Sequence, residues 1–256
     1  MILALSVIII TKDAEKTIQS CLDSVKWADE IIIFDSGSQD STLEYCRSYT
    51  QKIFLTDWPG FGVQKNRALN KAKGQWVLSI DADESLSDDL IEEIKQIIYH
   101  NPQERHDAFE IKRISFFAGK KVRYGDWRND KVVRLFRRLP PIQFTSSMIH
   151  ERLKGYRHLG RLKNPMLHKT METMSHVLMK LEYYSSFGAQ VAYQKRKKST
   201  LFKAILHALW CFIRGYLLRL GFLDGREGFI LAISNASGVF YRYIKLIYLY
   251  KTHHVR

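Results

Sequence analysis

Cysteine is scarce in this 256-residue chain: Cys21, Cys46 and Cys211 are the complete set, and no two form a CxxC pair. An odd number cannot all be bridged within one chain. A disulfide framework is thereby excluded, and the pattern points to a reduced, cytosolic setting. Neither GxGxxG nor GxxxxGK[ST] occurs, which argues against dinucleotide oxidoreductases and P-loop NTPases. An uncharged run long enough to span a bilayer is also missing. The apolar residues 1–10 are too short, lack a basic leader region and a cleavage pattern, and are expected to form a buried first strand. Residues 201–222 and 229–250 come near spanning length. Lys203, Arg214 and Arg219 interrupt the first, and Arg242 and Lys245 the second. Charges of that kind are costly in hydrocarbon, so both are expected to lie on a surface rather than cross it.

Acidic residues are nearly missing from the second part of the chain. From Arg152 onward there are 4 acidic against 19 basic residues, whereas the preceding part holds 22 against 21. The whole net charge of +14 therefore sits after residue 151. An acidic partner is expected there: nucleic acid, an anionic membrane or a phosphorylated substrate. What the chain does have is apolar content, 46% with 12% aromatic, enough for a real core and too much for a disordered protein.

The first hundred residues alternate two textures. Continuous β-branched or apolar runs at residues 3–10, 31–34, 53–55 and 76–80 read as strands. Residues 15–25, 41–49, 61–73 and 87–99 read as helices. Buried strands alternating with helices predict an α/β fold with a mostly parallel sheet covered on both faces. Ser87 before Asp88 and Asp89 predicts an N-cap. In the third helix Phe61, Ala68, Leu69 and Ala72 are expected on the apolar face, with Gln64, Arg67 and Lys71 elsewhere. From about residue 107 to 151 the pattern changes to short strands, 108–114 and 131–137 foremost. Beyond Arg161 it reads helical to the end, with Lys195-Arg196-Lys197-Lys198 between two helices. The expected division is 1–112 for nucleotide binding, 113–170 for acceptor and catalysis, and 171–256 as a basic amphipathic helical extension.

In an open parallel sheet, ligands bind beyond the carboxyl ends of the strands. Polar clusters stand at four such places: Thr11-Lys12-Asp13; Asp35-Ser36-Gly37-Ser38-Gln39-Asp40; Gly60 with Gly62, Lys65, Asn66 and Arg67; and Asp81-Ala82-Asp83-Glu84. Any one of them is ordinary turn chemistry, but four in succession are not. Alternate residues of an extended strand point to opposite sides. One carboxylate of Asp81-Ala82-Asp83 can then hold a sugar hydroxyl while the other binds Mg²⁺ or Mn²⁺ bridging two phosphates. A diphosphate held by a metal rather than a glycine loop points to a sugar nucleotide.

The run Leu5-Ser6-Val7-Ile8-Ile9-Ile10-Thr11-Lys12, then Asp29-Glu30-Ile31 through Asp35-Ser36-Gly37-Ser38-Gln39-Asp40-Ser41-Thr42, then Asp81-Ala82-Asp83-Glu84, resembles glycosyltransferase family 2. Trp58-Pro59-Gly60-Phe61-Gly62 with Gln64-Lys65-Asn66, Arg134-Leu135-Phe136-Arg137-Arg138, His150-Glu151, and Gly221-Phe222-Leu223-Asp224-Gly225 with Gly228-Phe229 look like the lipopolysaccharide-core branch. Within it the likeness is to β-1,4-glucosyltransferases acting on the first inner-core heptose. The resemblance implies a GT-A fold, a UDP-sugar donor and inversion at the anomeric carbon. It also implies uridine contacts from Thr11, Asp13 and Asp35, a nucleotide or phosphate contact from Lys65, ribose near Asp81, and metal on Asp83. Asp13 stands where the wider family usually has an Asn-Glu or similar pair.

An inverting transfer needs a base for the acceptor hydroxyl. The Glu-Asp pair that many relatives use is missing, and His150-Glu151 is the candidate, with Glu151 as base. Its alternative role is an ion pair with a neighbouring arginine, and His150 either orients Glu151 or packs. His168 stands where some GT-A enzymes supply a late metal ligand, although a lone histidine is more often structural. The Arg134–Arg138 cluster either stabilises a phosphate or pairs with surface acids, and Arg123-Tyr124-Gly125-Asp126-Trp127 has the mixture of a sugar-contacting loop.

For the basic extension three readings stand. No nucleic-acid module is recognisable, so nucleic acid is not expected. A plain core explains the aromatics but not the charge. An interfacial anchor on an anionic membrane explains both. The function expected is thus a peripheral enzyme on the cytoplasmic face of a bacterial inner membrane, moving a hexose, glucose first, to lipopolysaccharide inner-core heptose. Alternatives are another acceptor, a polyprenyl-phosphate sugar or a peptide, and a non-catalytic membrane- or nucleic-acid-binding module.

Overall fold

The computed structural model describes residues 3–101, 104–146, 151–171 and 173–253. The strands among the described residues are β1 Leu5–Thr11, β2 Glu30–Asp35, β3 Ile53–Leu55, β4 Trp76–Asp81, β5 Glu84–Leu86, β6 Ala108–Phe117, β7 Lys120–Lys121, β8 Lys131–Arg137, β9 Gln143–Phe144, β10 Leu153–Lys154, β11 Leu159–Arg161 and β12 Met166–Met171. The α-helices are α1 Ile18–Val25, α2 Thr42–Arg47, α3 Phe61–Leu69, α4 Asp88–His100, α5 Met174–Gln194, α6 Leu201–Phe212 and α7 Gly225–His253. Two compact units result, one of Met1–Ile114 with Asp130–His168, the other of Ser115–Asn129 with Lys169–Arg256.

In the first unit the strand order is β3-β2-β1-β4-β8-β6. The pairs β1–β2, β1–β4 and β2–β3 are parallel, while β8 runs antiparallel to β4. This is the expected GT-A-type α/β layout. The physical cause is visible in β1, whose seven residues are all buried. Val7 and Ile9 pack on one face with Ile18 and Leu22 of α1 and Leu90 and Ile94 of α4. Ile8 and Ile10 pack on the other with Ala68 and Leu69 of α3 and Phe144. A strand buried on both faces cannot alternate polar and apolar residues, so its sequence is continuous. Ser87 caps α4 as expected, its hydroxyl accepting from Leu90 N at 3.3 Å.

Three sequence expectations are corrected. The chain is not helical throughout after Arg161, because β12 intervenes and pairs antiparallel with β5 through Met166, Leu167 and His168. Its sequence, MLHKTM, has neither a β-branched run nor strict alternation. In α3, Gln64 and Lys65 are buried with the apolar residues because polar partners await them inside. The segment 201–222 is not one helix. After α6 a π-helical stretch covers Ile213–Leu218, Leu220 adopts a positive φ of 59°, and a short 3₁₀ turn covers Gly221–Asp224. The cysteines are all buried and free. Burial, followed by the nearby Asp35 carboxylate, pushes the Cys46 thiol up to about 11, so it is held in its unreactive form.

Candidate active site

The parallel register aligns three strand ends. Thr11 is opposite Asp35 across β1–β2, and Ile10 is opposite Asp81 across β1–β4. The loops that follow are tied to one another. Asp13, at a φ of 48°, accepts from Gln39 N at 2.8 Å and donates its own N–H to Ser38 Oγ at 2.9 Å. The buried Asp35 accepts from Gly37 N and Ser38 N, both at 2.9 Å, and from the Ser38 hydroxyl. This carboxylate thus builds the Asx-type turn that follows it. Gln64 Nε2 reaches Ser36 Oγ at 3.1 Å and Thr56 Oγ1 at 2.5 Å, linking the ends of β2 and β3 to α3. Thr11 Oγ1 is buried and has no hydrogen-bond partner. This hydroxyl is left free to hydrogen-bond at the end of the strand.

Lys65 lies at the centre. Its residue is only 1% exposed, and its Nζ sits 2.8 Å from Asp81 Oδ1 and 2.6 Å from Glu151 Oε1. Two devices bring Glu151, 86 residues away, onto α3. Asn66 exchanges hydrogen bonds with Phe144, Nδ2 to O and N to Oδ1, each at 2.8 Å. Gly62 allows the strand to lie against the helix, since a Cβ there would meet the Thr145 carbonyl oxygen at 1.8 Å. We expect Gly62→Ala to destabilise the fold by about 2–3 kcal/mol through overpacking. Urea denaturation would check it, and an unchanged midpoint would refute the close packing.

Behind Asp81 lies a buried ion network. Arg134 bonds both Asp81 and Glu84, the latter at 2.6 Å. Arg113 holds Glu84 at 3.0 Å and Asp130 at 2.7 Å, and Asp81 N donates to Glu84 Oε2 at 3.0 Å. Arg134 therefore pairs with acids, the buried Glu84 and the partly buried Asp81; Arg137 stacks on Trp76 and Arg138 donates to the Gly74 carbonyl. Burial alone would raise the Asp81 pKa. The Arg134 and Lys65 charges outweigh it and hold the carboxyl well below the usual range. With its folded value below an unfolded value of about 3.9, Asp81 contributes stability above roughly pH 4, and the contribution fades as pH falls toward the folded value. Denaturation midpoints measured as pH falls below about 4 should decline more steeply in the wild type than in Asp81→Asn. Parallel declines would contradict the linkage.

Asp83 and His168 face each other across the β5–β12 pairing, Oδ2 to Nε2 at 3.4 Å, with the His168 side chain 13% exposed. Among the described residues no group of three or more metal-ligand side chains forms. The structure thus brings Lys65, Asp81 and Glu151 together, sets Asp83 beside His168, and keeps Asp13 and Asp35 in the loop scaffold. His150 lies outside the described residues. The Glu84–Arg113 pair behind Asp81 was not singled out from the sequence. Glu84 adjoins Asp81-Ala82-Asp83 in the sequence, but Arg113, between Lys112 and Ile114, carries no local signal; the one clue was that a buried acid needs a cationic partner.

The chain is 29% identical to an uncharacterized glycosyltransferase of Rickettsia typhi, covering 94% of this chain and 86% of that protein. It is 26% identical to the lipopolysaccharide core biosynthesis glycosyltransferase LpsC of Rhizobium meliloti, covering 98% and 93%. Among solved structures, that of S. aureus TarS 1–349 in complex with UDP-GlcNAc matches at a TM-score of 0.49 and 18% identity, covering 98% of this chain and 92% of that one. Residues 6–146, more than half the chain, match the family model described as Glycosyl transferase family 2. The matched residues take in β1 to β4 with the acidic groups at the ends of those parallel strands, and the chain belongs to glycosyl transferase family 2.

Proposed function

We propose that this glycosyltransferase moves a hexose, glucose in the first instance, from a UDP-sugar to heptose of the lipopolysaccharide inner core, with inversion and with Mg²⁺ or Mn²⁺. It works at the cytoplasmic face of a bacterial inner membrane, on an anionic surface. One observation carries the reading: a buried lysine clamped between two carboxylates at the end of the sheet where ligands bind. The similarity to LpsC over 98% of this chain supports the acceptor class.

The geometry supports the following roles. The loops after β1 and β2, with Thr11, Asp13 and Asp35, frame the uridine, and Thr11 Oγ1 offers the unused hydroxyl. Asp81, fixed by Lys65 and Arg134, faces the ribose. Lys65 meets the diphosphate as a cation already desolvated, so its field there is stronger than in water. The donor set fits a divalent cation: Asp83 and His168 would hold it, leaving positions for phosphate oxygens and water as Mg²⁺ and Mn²⁺ sites do. Bound there, the cation supplies neutralisation of the leaving diphosphate's charge. Glu151 is half-buried, and its Oε1 lies 2.6 Å from Lys65 Nζ, within reach of the same end of the sheet. When a diphosphate competes for Lys65, the Glu151 oxygen is released to take the acceptor hydroxyl's proton as the hydroxyl attacks C1.

The test is UDP release by the purified chain across a panel of UDP-sugars with a heptose-bearing lipid acceptor. UDP-glucose should give the highest kcat/KM, and no turnover with any UDP-sugar would overturn the proposal. Separately, Asp83→Ala should leave UDP binding nearly insensitive to Mn²⁺ in calorimetry, with a loss of at least about tenfold in metal-supported affinity. A wild-type response would remove Asp83 from the metal site.

A further inference from the structure

In the second unit, α6 and its π-helical continuation are packed inside out. Ala204, Cys211 and Gly215 are buried and line up at helical spacing on one face, where α6 packs on α7 and Gly215 lies against Asp126 and Gly221. The large apolar residues Phe202, Ile205, Leu206, Leu209, Trp210 and Leu217 point away from it, with Phe202 69% and Trp210 54% exposed. A helix on a water-soluble surface does the reverse, burying its large side chains and exposing polar ones. Small residues at a helix–helix contact with large apolar ones outside are the arrangement of helices whose outer face meets lipid. The segment Leu201–Leu218 is long and apolar enough to cross a membrane by length and composition, and only 17% of it is buried.

Its flanks decide how it meets the lipid. Lys203 and His207, one turn apart, share an edge of the helix, and the His207 ring stacks on Tyr243 at 4.8 Å. Arg242 lies against the same Tyr243 at 4.9 Å. A crossing orientation would take His207 and Arg242 into the hydrocarbon centre, where a charge is expensive. An orientation along the interface keeps both at headgroup level while the apolar face sinks. Immediately before α6, Lys195, Arg196, Lys197 and Lys198 are all exposed, which places a cationic rim where lipid phosphates would lie.

We propose that α6 inserts its Phe202–Trp210–Leu217 face into the acyl region of a bilayer, lying in the interface plane, with the Lys195–Lys198 cations on lipid phosphates. This deepens the membrane location proposed above and rests on it. It differs from adsorption by charge alone, since the apolar face holds the protein when salt screens the cations.

The experiment uses the full chain with vesicles of phosphatidylcholine alone and of phosphatidylcholine mixed equally with phosphatidylglycerol, in low and high salt. The comparison is with a variant carrying Phe202→Ser, Leu206→Ser, Leu209→Ser and Trp210→Ser. All four side chains are outward-facing, and thermal melting checks that the fold is retained. Wild type should bind both vesicle types, more tightly the anionic one, and remain bound in high salt. The serine variant should bind about a hundredfold more weakly while UDP release with a soluble acceptor stays at the wild-type rate. Binding to anionic vesicles alone, reversed by salt, would overturn insertion yet leave the membrane location standing. No vesicle binding would overturn both, and a wild-type dimer that ignores vesicles and falls apart in the serine variant would assign the face to a second copy. Loss of UDP release in every form would instead count against the enzymatic reading.

Discussion

Glu151→Gln should lower kcat by about 10²–10⁴-fold while donor affinity stays within a few-fold of wild type. The glutamine keeps the shape of the side chain and an oxygen that can accept from Lys65 Nζ, which lies 2.6 Å from Glu151 Oε1. Lys65 remains paired with Asp81 at 2.8 Å, so the donor side of the site is preserved. What is lost is the capacity to take a proton, and only the chemical step requires that. Single-turnover kinetics with UDP-glucose and acceptor, set beside UDP calorimetry, would separate the two. Activity near wild type would move the base elsewhere. An equal fall in donor affinity and kcat would make Glu151 a structural partner of Lys65.

Lys65→Met should be costly in a different way. Methionine fills the volume of the lysine stem but leaves the Asp81 and Glu151 carboxylates without the cation between them. Breaking a buried ionic cluster by removing one partner costs about 3–5 kcal/mol, which urea denaturation at neutral pH would register. Part of that loss should be recovered in the Lys65→Met, Glu151→Met double variant, because the unpaired carboxylate is then gone. UDP affinity should fall in both variants, since each lacks the ammonium proposed to meet the diphosphate. If the single variant is as stable as the wild type, the cluster is not the tightly coupled unit its distances describe. If UDP affinity is unchanged, Lys65 has no part in holding the donor.

The sheet was legible because burial on both faces makes β1, β2 and β4 continuous apolar runs, and their observed limits differ from the expected ones by no more than two residues. The strand ends therefore showed where polar residues would gather. β12 was hidden for the opposite reason: part of it is only half-buried and mixes Leu167, His168 and Lys169. In α3 the periodicity of apolar residues placed Gln64 away from the core, yet it is fully buried. Its partners Ser36 and Thr56 come from loops that a helical wheel does not contain. The Lys65–Glu151 pair was out of reach for the same reason. An ion pair with a neighbouring arginine was only the alternative role for Glu151, and the partner observed is a lysine 86 positions earlier, brought near by Asn66 and Gly62. Charge asymmetry could be read as a count, but not that the large apolar side chains of α6 face outward.

The most direct test of the site is the anomeric configuration of the linkage made from UDP-α-glucose and a heptose-terminated acceptor, determined by NMR on the isolated product. A single attack assisted by Glu151 from the face opposite the diphosphate, with Lys65 and Asp81 holding the donor side, should give a β-linked glucoside. An α-linked product, or none from any UDP-sugar, would contradict the roles assigned to Lys65, Asp81 and Glu151.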